Sequence, residues 1–558
     1  MSSNRIKWIG GIVCLFLIVA GCAHAQPTDM VASPVVVQAE QRALLNEKGS
    51  FFSTAGQCSA CHTGLITSGG NDISIDTDWR STMMANSARD PYYRASVRRE
   101  ILANPGYDEF IQNKCSTCHV PMAHFTTSAA GGKTIMLDDG VFAAANSGHS
   151  LAMDGVSCTV CHQIQAENLG TDASFSGGLV FDERTASGKR QIFGQFPVAD
   201  NWVSVMNAAS GFAPLQAGHT EQSALCATCH NLFTPYITND GKVSEELFPE
   251  QTPFTEWENS AYAKDATCQS CHMLDAGETA AISSVNPEKR SPFRQHQFIG
   301  GNQFMLNLLK KNGDPLDVTA TDDQFEQTIR LTDDQLSSKT AELSVKPGGQ
   351  GSTLDLDIKI TNLAGHKFPT SFPSRRVWLH VRVEDAGGGV VFESGNWSDN
   401  GAISGNINDQ DAAQFEPHYT EITFPDQVQI YETIIGDPDG EVTTTLLRAQ
   451  HYIKDNRLLP AGMAKDKLPN EIAVQGPAVE DEDFYTGGDS VKYVIQLPGS
   501  GTYSVSVELL YQSVGYRWAE NLRGIPFTAE AESFLAMLKE SPLSPVLVAQ
   551  NELNVTLP

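Results

Sequence analysis

The sequence contains five repeats of the form Cys-x-x-Cys-His, all between residues 58 and 272. Two cysteines at this spacing can both bond to one edge of a porphyrin, and the adjacent imidazole can then bind the iron. The repeats therefore predict five covalently bound c-type haems. The attachment cysteines are Cys58, Cys61, Cys115, Cys118, Cys158, Cys161, Cys226, Cys229, Cys268 and Cys271, and the iron-binding histidines that follow them are His62, His119, His162, His230 and His272.

Disulfides and zinc sites are the alternatives for paired cysteines. Ten of the twelve cysteines fall into the five repeats, and the other two, Cys14 and Cys22, lie near the N-terminus. Neither a disulfide framework nor a set of zinc sites requires a histidine after every pair. The pattern therefore favours haem.

The N-terminus has the features of an export signal. Arg5 and Lys7 precede an apolar stretch over residues 8–20 that is too short to span a bilayer comfortably. Residues 1–21 are therefore predicted to be a signal peptide. Haem c is attached outside the cytoplasm, so this signal and the repeats support each other.

Two processing sites compete at the end of this signal. Residues 19–22 resemble a bacterial lipobox, which predicts lipidation of Cys22 and anchoring to a membrane. Residues 23–25 (AHA) suit ordinary signal peptidase, which would leave a soluble periplasmic protein. We favour the lipobox, and expect a lipid-anchored location in the cell envelope, in the periplasm or at the outer membrane.

The composition narrows the choice of partners. The formal net charge of −28 makes nucleic acid an unsuitable partner and favours redox proteins with basic docking surfaces. The acidic residues also have a simpler interpretation, which is solubility.

Hydrophobic periodicity predicts an α+β multidomain protein. After the first repeat the sequence is rich in small polar residues, with short helices expected at 80–86, 91–103 and 255–263 and apolar helical patterns at 302–311 and 322–336. From about residue 340 the apolar period becomes two, as at Leu354, Leu356, Ile358 and Ile360. The same period recurs at 377–383, where Trp378 falls on the polar face, and at 491–495 and 503–509, and the apolar run at 546–548 is expected to be a closing strand. The predicted organisation is a tether (22–50), a mostly helical, loop-rich pentahaem cytochrome c domain (51–320), a connector (321–339) and an antiparallel β-sandwich-like domain (340–558).

Five histidines are candidates for the second axial ligands of the five haem irons. Three histidines are interleaved with the repeats, another lies just beyond the last, and one lies in a loop between two predicted strands: His124, His149, His219, His296 and His366. Met83 and Met84 are rival ligands for the first haem. His380, His418 and His451 are expected to be structural residues of the β-domain.

The haem region resembles the multihaem cytochromes grouped around hydroxylamine oxidoreductase and its smaller electron-accepting relatives. The similar stretches are residues 78–84 (DWRSTMM), 154–158 (DGVSC) and 255–260 (TEWENS). Residues 296–302 (HQFIGGN) and 365–369 (GHKFP) are similar to bacterial multihaem proteins that carry a C-terminal β-domain. The resemblance implies closely stacked haems, mostly with two histidine ligands, that pass electrons along the stack.

The sequence also departs from the enzymes of this group. Hydroxylamine oxidoreductases typically have eight haems, and no tyrosine that would cross-link to a catalytic haem is identifiable. Ammonia-forming nitrite reductases commonly use Cys-x-x-Cys-Lys at the active haem, whereas all five repeats here end in histidine. We therefore expect an electron carrier without catalytic residues. The alternatives are an oxidoreductase acting on a small nitrogen or sulfur compound at one open haem, and a filament-forming conductive protein.

Overall fold

The computed structural model describes residues 42–524, 526 and 528–558. The predicted signal peptide, Cys22 and most of the predicted tether lie outside these residues. Within them, no helix combines the length and the apolar character needed to cross a membrane.

Short helices build the part of the chain that carries the repeats, here called the motif region (residues 42–320). Helix α3 shows why they start where they do: Pro91 occupies its first turn and the Asp90 side chain accepts a hydrogen bond from the Tyr93 N–H. The helices of this region are α1 (Ala55–His62), α2 (Ile75–Arg80), α3 (Pro91–Ala103), α4 (Asp108–His119), α5 (Pro121–Ala129), α6 (His149–Met153), α7 (Cys158–Cys161), α8 (Asp200–Ser210), α9 (Ser223–His230), α10 (Pro253–Glu258), α11 (Cys268–His272) and α12 (Gln303–Lys311).

Three two-stranded sheets complete the motif region. Strands β1 and β2 pair in parallel, while β3 with β4 and β5 with β6 form antiparallel hairpins. These strands are β1 (Arg190–Gly194), β2 (Phe212–Gln216), β3 (Leu232–Ile237), β4 (Val243–Gln251), β5 (Ala280–Ser283) and β6 (Asn286–Arg290). Helix α13 (Asp322–Lys339) then leads to the rest of the chain, and a capping box between Thr321 and Gln324 fixes its start.

The C-terminal part, here called the β region (residues 340–558), is built on two sheets. One has the order β10-β9-β17-β18 with β12 beside β9, and the other has the order β11-β16-β8-β7. A third, smaller sheet has the order β14-β13-β15. The strands are β7 (Ala341–Gln350), β8 (Thr353–Asn362), β9 (Arg376–Glu384), β10 (Val390–Ser394), β11 (Glu421–Ile422), β12 (Ile430–Tyr431), β13 (Thr433–Gly436), β14 (Val442–Thr443), β15 (His451–Asp455), β16 (Gly488–Gln496), β17 (Gly501–Gln512) and β18 (Val546–Leu557), and the helices are α14 (Ile407–Gln410), α15 (Tyr516–Glu520) and α16 (Ala529–Glu540).

The two larger sheets enclose one apolar core. The alternate residues of β8 that the two-residue period singled out are all buried in it. The neighbouring sheet contributes alternate residues of β9 and β17, so the core has the two-layer arrangement of a sandwich. The predicted α+β class is confirmed by this combination of helices and sheets.

Several local predictions need correction. Residues 80–86 were expected to be helical, but α2 ends at Arg80 and turns follow it. Trp378 was expected on the polar face of β9, yet it is fully buried because a second apolar cluster covers that end of the strand. Its Nε1–H donates to the Gly395 carbonyl at 2.8 Å. Strand β18 is longer than the predicted run at 546–548, because pairing with β17 extends it to Leu557.

The alternation in β8 yields a direct test. Replacing Ile358, which is 0% exposed, with Ala is expected to lower the free energy of unfolding by about 2–5 kcal/mol because it leaves a cavity in the core. The neighbouring Lys359 points outward, and Lys359→Ala is expected to change that free energy by less than about 0.5 kcal/mol. Urea denaturation followed by circular dichroism measures both. Equal losses for the two variants would contradict the assigned faces.

Candidate haem-binding site

Each Cys-x-x-Cys-His repeat lies in or at the end of a helix. The repeats end α1, α4 and α9, form the whole of α11, and occupy α7 with His162 directly after it. On a helix, positions i, i+3 and i+4 share one face, so both sulfurs and the imidazole project to the same side. Local backbone geometry therefore presents the three groups that a c-type haem needs.

The repeats converge on one cavity of about 1210 Å³. Pockets that hold a single small ligand usually measure about 300–1000 Å³, so this cavity has room for more than one such group. All five repeat histidines line it, together with nine of the ten repeat cysteines; Cys61 is the exception. Residues from the β region, including His366 and Tyr511, complete its wall.

Cysteines of different repeats lie next to one another. Cys158 lies close enough to the Cys58 thiol to raise its pKa, so the first repeat neighbours the third. The fourth repeat neighbours the second through Cys118 and Cys229, and the fifth through Cys226 and Cys268. Cys161 lies close enough to Cys229 for electrostatic interaction, so the third repeat also neighbours the fourth. The five attachment points thus form one connected group with the fourth repeat at its centre.

Backbone carbonyls hold three of the five repeat histidines. The Nδ1 atom of His62 donates to the Ile282 carbonyl at 2.6 Å, and that of His162 to the Phe193 carbonyl at 2.5 Å. The Nδ1 atom of His272 bonds to the Ile299 carbonyl. Since a carbonyl can only accept, Nδ1 carries the proton in each ring and Nε2 keeps a free lone pair. This is the arrangement typical of metal-binding histidines.

The other two repeat histidines have different surroundings. The His119 ring stacks on Tyr93 with 3.6 Å between centroids, and its buried Nδ1 has no partner among the described residues. His230 is surrounded by protein atoms, yet its side chain is exposed to the cavity that it lines. Burial lowers the pKa of both imidazoles to about 4, so both are neutral at pH 7, as an iron ligand must be.

Two further histidines lie opposite repeat histidines. The centroids of His162 and His296 are 6.3 Å apart, as are those of His272 and His366, with interplanar angles of 20° and 14°. With metal–nitrogen bonds of about 2.0 Å and ring centroids about 1.1 Å behind each nitrogen, two imidazoles on one metal ion have centroids about 6 Å apart. The separation of both pairs fits two ligands of one iron.

Hydrogen bonds also leave the correct nitrogen free in these two histidines. The His296 Nδ1 atom donates to the Arg294 carbonyl at 3.1 Å, and the His366 Nδ1 atom donates to the Lys367 carbonyl at 2.9 Å. Burial lowers the pKa of His296 to about 3 and also lowers that of His366. Both rings are therefore neutral, with Nε2 available.

The remaining three candidate ligands are placed elsewhere. His124 is bonded to the Ser116 hydroxyl at 2.8 Å, His149 to the Val141 carbonyl at 3.2 Å, and His219 to the Ile164 carbonyl at 2.8 Å. None of the three lines the cavity. Their role as ligands stays a prediction. Met83 and Met84 do line the cavity, so they remain rival candidates.

The charged residues of the cavity wall could not be predicted from the sequence, because they are scattered along the chain. The cationic side chains that line it are those of Lys114, Arg294, Lys339 and Arg375. The Arg294 Nε atom is buried without a hydrogen-bond partner among the described residues. These cations suit the two carboxylates that each haem carries. The same wall also carries acidic residues, which are Asp76, Asp90, Glu100, Glu221 and Glu250.

A buried carboxyl joins the first and third repeats. The Asp154 side chain accepts a hydrogen bond from the Ala55 N–H at 2.8 Å, at the first residue of α1, where the Thr54 side chain supplies no cap. Gly155 has a φ of +63°, and a Cβ there would lie 2.6 Å from the Met84 carbonyl oxygen. Only glycine allows this approach without strain. Burial raises the pKa of Asp154 to about 7.

One cluster of metal-type ligands lies away from the cavity. His418, Asp481 and Asp489 are buried with their ligand atoms within 4.8 Å of one another. However, the Gln429 and Asn456 side-chain amides both donate to the His418 Nδ1 atom, at 2.9 and 3.1 Å. Backbone N–H groups fix the orientation of both amides by donating to their oxygens. The His418 proton therefore lies on Nε2, which donates to Asp481 at 2.9 Å, and this leaves no nitrogen for a metal ion.

Comparisons with known proteins give one similar structure. No protein-family model matches the chain, and no curated protein matches it. Among solved structures, a penta-heme cytochrome c552 from Thermochromatium tepidum is similar, with 17% sequence identity, a TM-score of 0.48, and coverage of 90% of this chain and 98% of that chain. A similarity at this level does not assign the chain to a family.

The raised pKa of Asp154 predicts a pH effect. An unfolded aspartate has a pKa of about 3.9. Between about pH 4 and pH 7 the folded Asp154 carboxyl therefore keeps a proton that the unfolded carboxyl has lost. Its contribution to the free energy of unfolding falls as pH rises through this range. Asp154→Asn keeps the shape without this proton uptake. The difference in urea midpoint between this variant and the wild-type protein, measured by circular dichroism, is expected to favour the variant more at pH 8 than at pH 5. A variant that is equally destabilised at both pH values would instead indicate an ionised Asp154 paired with Arg89.

Proposed function

We propose that the protein is a multihaem c-type cytochrome that transfers electrons outside the cytoplasm through five covalently bound haems. The observation that carries the proposal is the convergence of five Cys-x-x-Cys-His repeats on one cavity, with two of their histidines facing a second histidine at 6.3 Å. When bound, haem c supplies a redox-active iron.

The chain's own residues have distinct roles in this proposal. The repeat cysteines anchor the haem edges, and the repeat histidines bind iron through Nε2. The Ile282, Phe193 and Ile299 carbonyls hold the Nδ1 proton of three of these histidines and so fix their orientation. His296 and His366 would each supply a second ligand to the iron held by His162 and His272, respectively.

Contacts between repeats support electron transfer within the molecule. The thiol contacts connect the first repeat to the third, the third to the fourth, and the fourth to the second and fifth. Electrons that enter at any one repeat can therefore reach all the others through neighbours. The first, second and fifth repeats each end a branch, and the three branches meet at the fourth repeat.

Charge and the N-terminal sequence support the proposed setting. The net charge of −28 favours partners with basic docking surfaces and predicts association that weakens with salt. Covalent haem attachment and the signal-like N-terminus favour the cell envelope. Attachment to a membrane through lipidated Cys22 remains part of this proposal.

A catalytic function is the second candidate, and one observation favours it. Among the described residues, only two of the five repeat histidines face another histidine. Near the second repeat the wall carries Lys114 and Glu250, and burial raises the pKa of Glu250 to about 7, so this carboxyl can exchange a proton near neutral pH. These features suit an iron that accepts a small external ligand.

Ligand substitution tests the two histidine pairs. His296→Ala and His366→Ala are each expected to convert one haem in five from low spin to high spin, because each removes one of two axial ligands. Electron paramagnetic resonance of the ferric protein measures this change. His451→Ala, at an exposed position of β15, is the control and is expected to leave the spectrum unchanged. A wild-type spectrum for either cavity variant would remove that histidine as a ligand.

Carbon monoxide separates the two functions. For an electron carrier, the reduced wild-type protein is expected to bind less than one carbon monoxide per chain, because six-coordinate iron has no vacant position. An optical titration measures the stoichiometry. Binding of one or more equivalents, together with a high-spin ferric signal, would favour the catalytic function.

A further inference from the structure

A network of four charged side chains lies between the motif region and the β region. The Arg457 guanidinium is bonded to Glu256 at 2.8 Å through Nη1, and to Asp455 at 2.7 Å through Nη2 and 2.9 Å through Nε. The Lys367 Nζ atom is bonded to Asp455 at 2.7 Å. All four side chains are at most 5% exposed. Two cations and two anions make the network neutral.

Glu256 connects this network to the loop that carries His366. Its Oε1 atom binds Arg457, while its Oε2 atom accepts hydrogen bonds from the Lys367 backbone N–H at 3.2 Å and from the Thr370 hydroxyl at 2.5 Å. Glu256 lies on α10 of the motif region, between the fourth and fifth repeats. One carboxylate thus holds both the β region's arginine and the loop.

Lys367 is fixed through three of its groups. Its N–H donates to Glu256, its Nζ atom donates to Asp455, and its carbonyl accepts from the His366 Nδ1 atom at 2.9 Å. The carbonyl that orients the His366 ring therefore belongs to a residue that the network holds through both its backbone N–H and its Nζ atom. A shift of Lys367 moves the His366 ring with it.

The loop also packs against α10 and the residues that follow it. A Cβ at Gly365 would lie 3.5 Å from Trp257 and 3.4 Å from Tyr262. The Tyr262 hydroxyl donates to the Leu363 carbonyl at 2.7 Å. The Asn362 side chain donates to the His366 carbonyl at 2.9 Å, which closes the loop from the strand side.

We propose that Glu256, Arg457, Asp455 and Lys367 are positioning residues that hold His366 opposite His272. The inference rests on the proposed function, because it assigns His366 to the iron of the fifth repeat. Apolar residues often replace buried ion pairs without loss of stability, so four buried charges are explained better by the geometry they impose than by stability alone. The network makes the β region a structural part of the haem site.

Glu256→Gln in the full-length, haem-loaded protein tests this role. The substitution keeps the side chain's size but places an NH₂ group where Glu256 now accepts from Arg457 or from Lys367 and Thr370. Its electron paramagnetic resonance spectrum is expected to show a high-spin ferric signal of up to one iron in five, at the position of the signal given by His366→Ala. The covalently bound haem content is expected to remain five per chain.

The chain offers a matched control. Arg376 and Asp409 form a buried ion pair at 2.8 Å, with side chains 3% and 2% exposed, and neither lines the cavity. Asp409→Asn is expected to lower the denaturation midpoint without a new high-spin signal. A high-spin signal equal to that of Glu256→Gln would show general loosening and would overturn the proposal.

The remaining outcomes separate this inference from the proposed function. A wild-type spectrum for Glu256→Gln beside an altered one for His366→Ala overturns the positioning role and leaves the ligand assignment intact. A wild-type spectrum for His366→Ala overturns both. If Glu256→Gln does not accumulate, Thr370→Val removes only the hydroxyl that donates to Glu256. It is expected to change the low-spin signal of the same haem, and an unchanged signal counts against the proposal.

Discussion

The geometry of a single helical turn is the constraint on which the rest of this structure depends. Because positions i, i+3 and i+4 share a face, each Cys-x-x-Cys-His repeat directs two sulfurs and one imidazole to the same side of a short helix. Five such faces cannot pack against one another as an apolar core does, so they surround a cavity of about 1210 Å³ instead. The short helices and small hairpins of the motif region follow from this requirement, since they enclose a space that side chains do not fill.

The sequence predicted the elements whose signal is local. The repeats, the helix that starts at Pro91, the capped helix α13 and the alternating strands β8, β9, β16 and β17 all lie where the patterns indicated. The β region's smaller strands were not predicted, because strands such as β11 and β12 have two residues each and exist only through their partners. Trp378 was assigned to a solvent face for the same reason: the loop that buries it is distant in sequence.

The sequence identified the repeat residues of the site, but not which histidines lie opposite them. His296 and His366 were two of five candidates that spacing alone did not distinguish. The stretches around them, residues 296–302 and 365–369, resemble bacterial multihaem proteins, but this resemblance does not say which repeat each histidine faces. Their distinction depends on long-range contacts, in particular the 6.3 Å separations from His162 and His272. The ion network behind His366 joins residues that lie 88 and 111 positions apart in the chain. No periodicity or spacing in the sequence reports such partners.

The five repeat histidines are not equivalent, and this difference bears on function. A ring whose Nδ1–H is bonded to a carbonyl is a more basic ligand than one without a partner. His62, His162 and His272 have such carbonyls, whereas the His119 Nδ1 atom forms no comparable hydrogen bond among the described residues and its ring stacks on Tyr93. The second repeat also lies at the end of a branch, beside the protonatable Glu250. In the proposed function, the different surroundings of His119 and the neighbouring Glu250 make the second repeat the one best suited to exchange electrons with a partner protein or a small molecule.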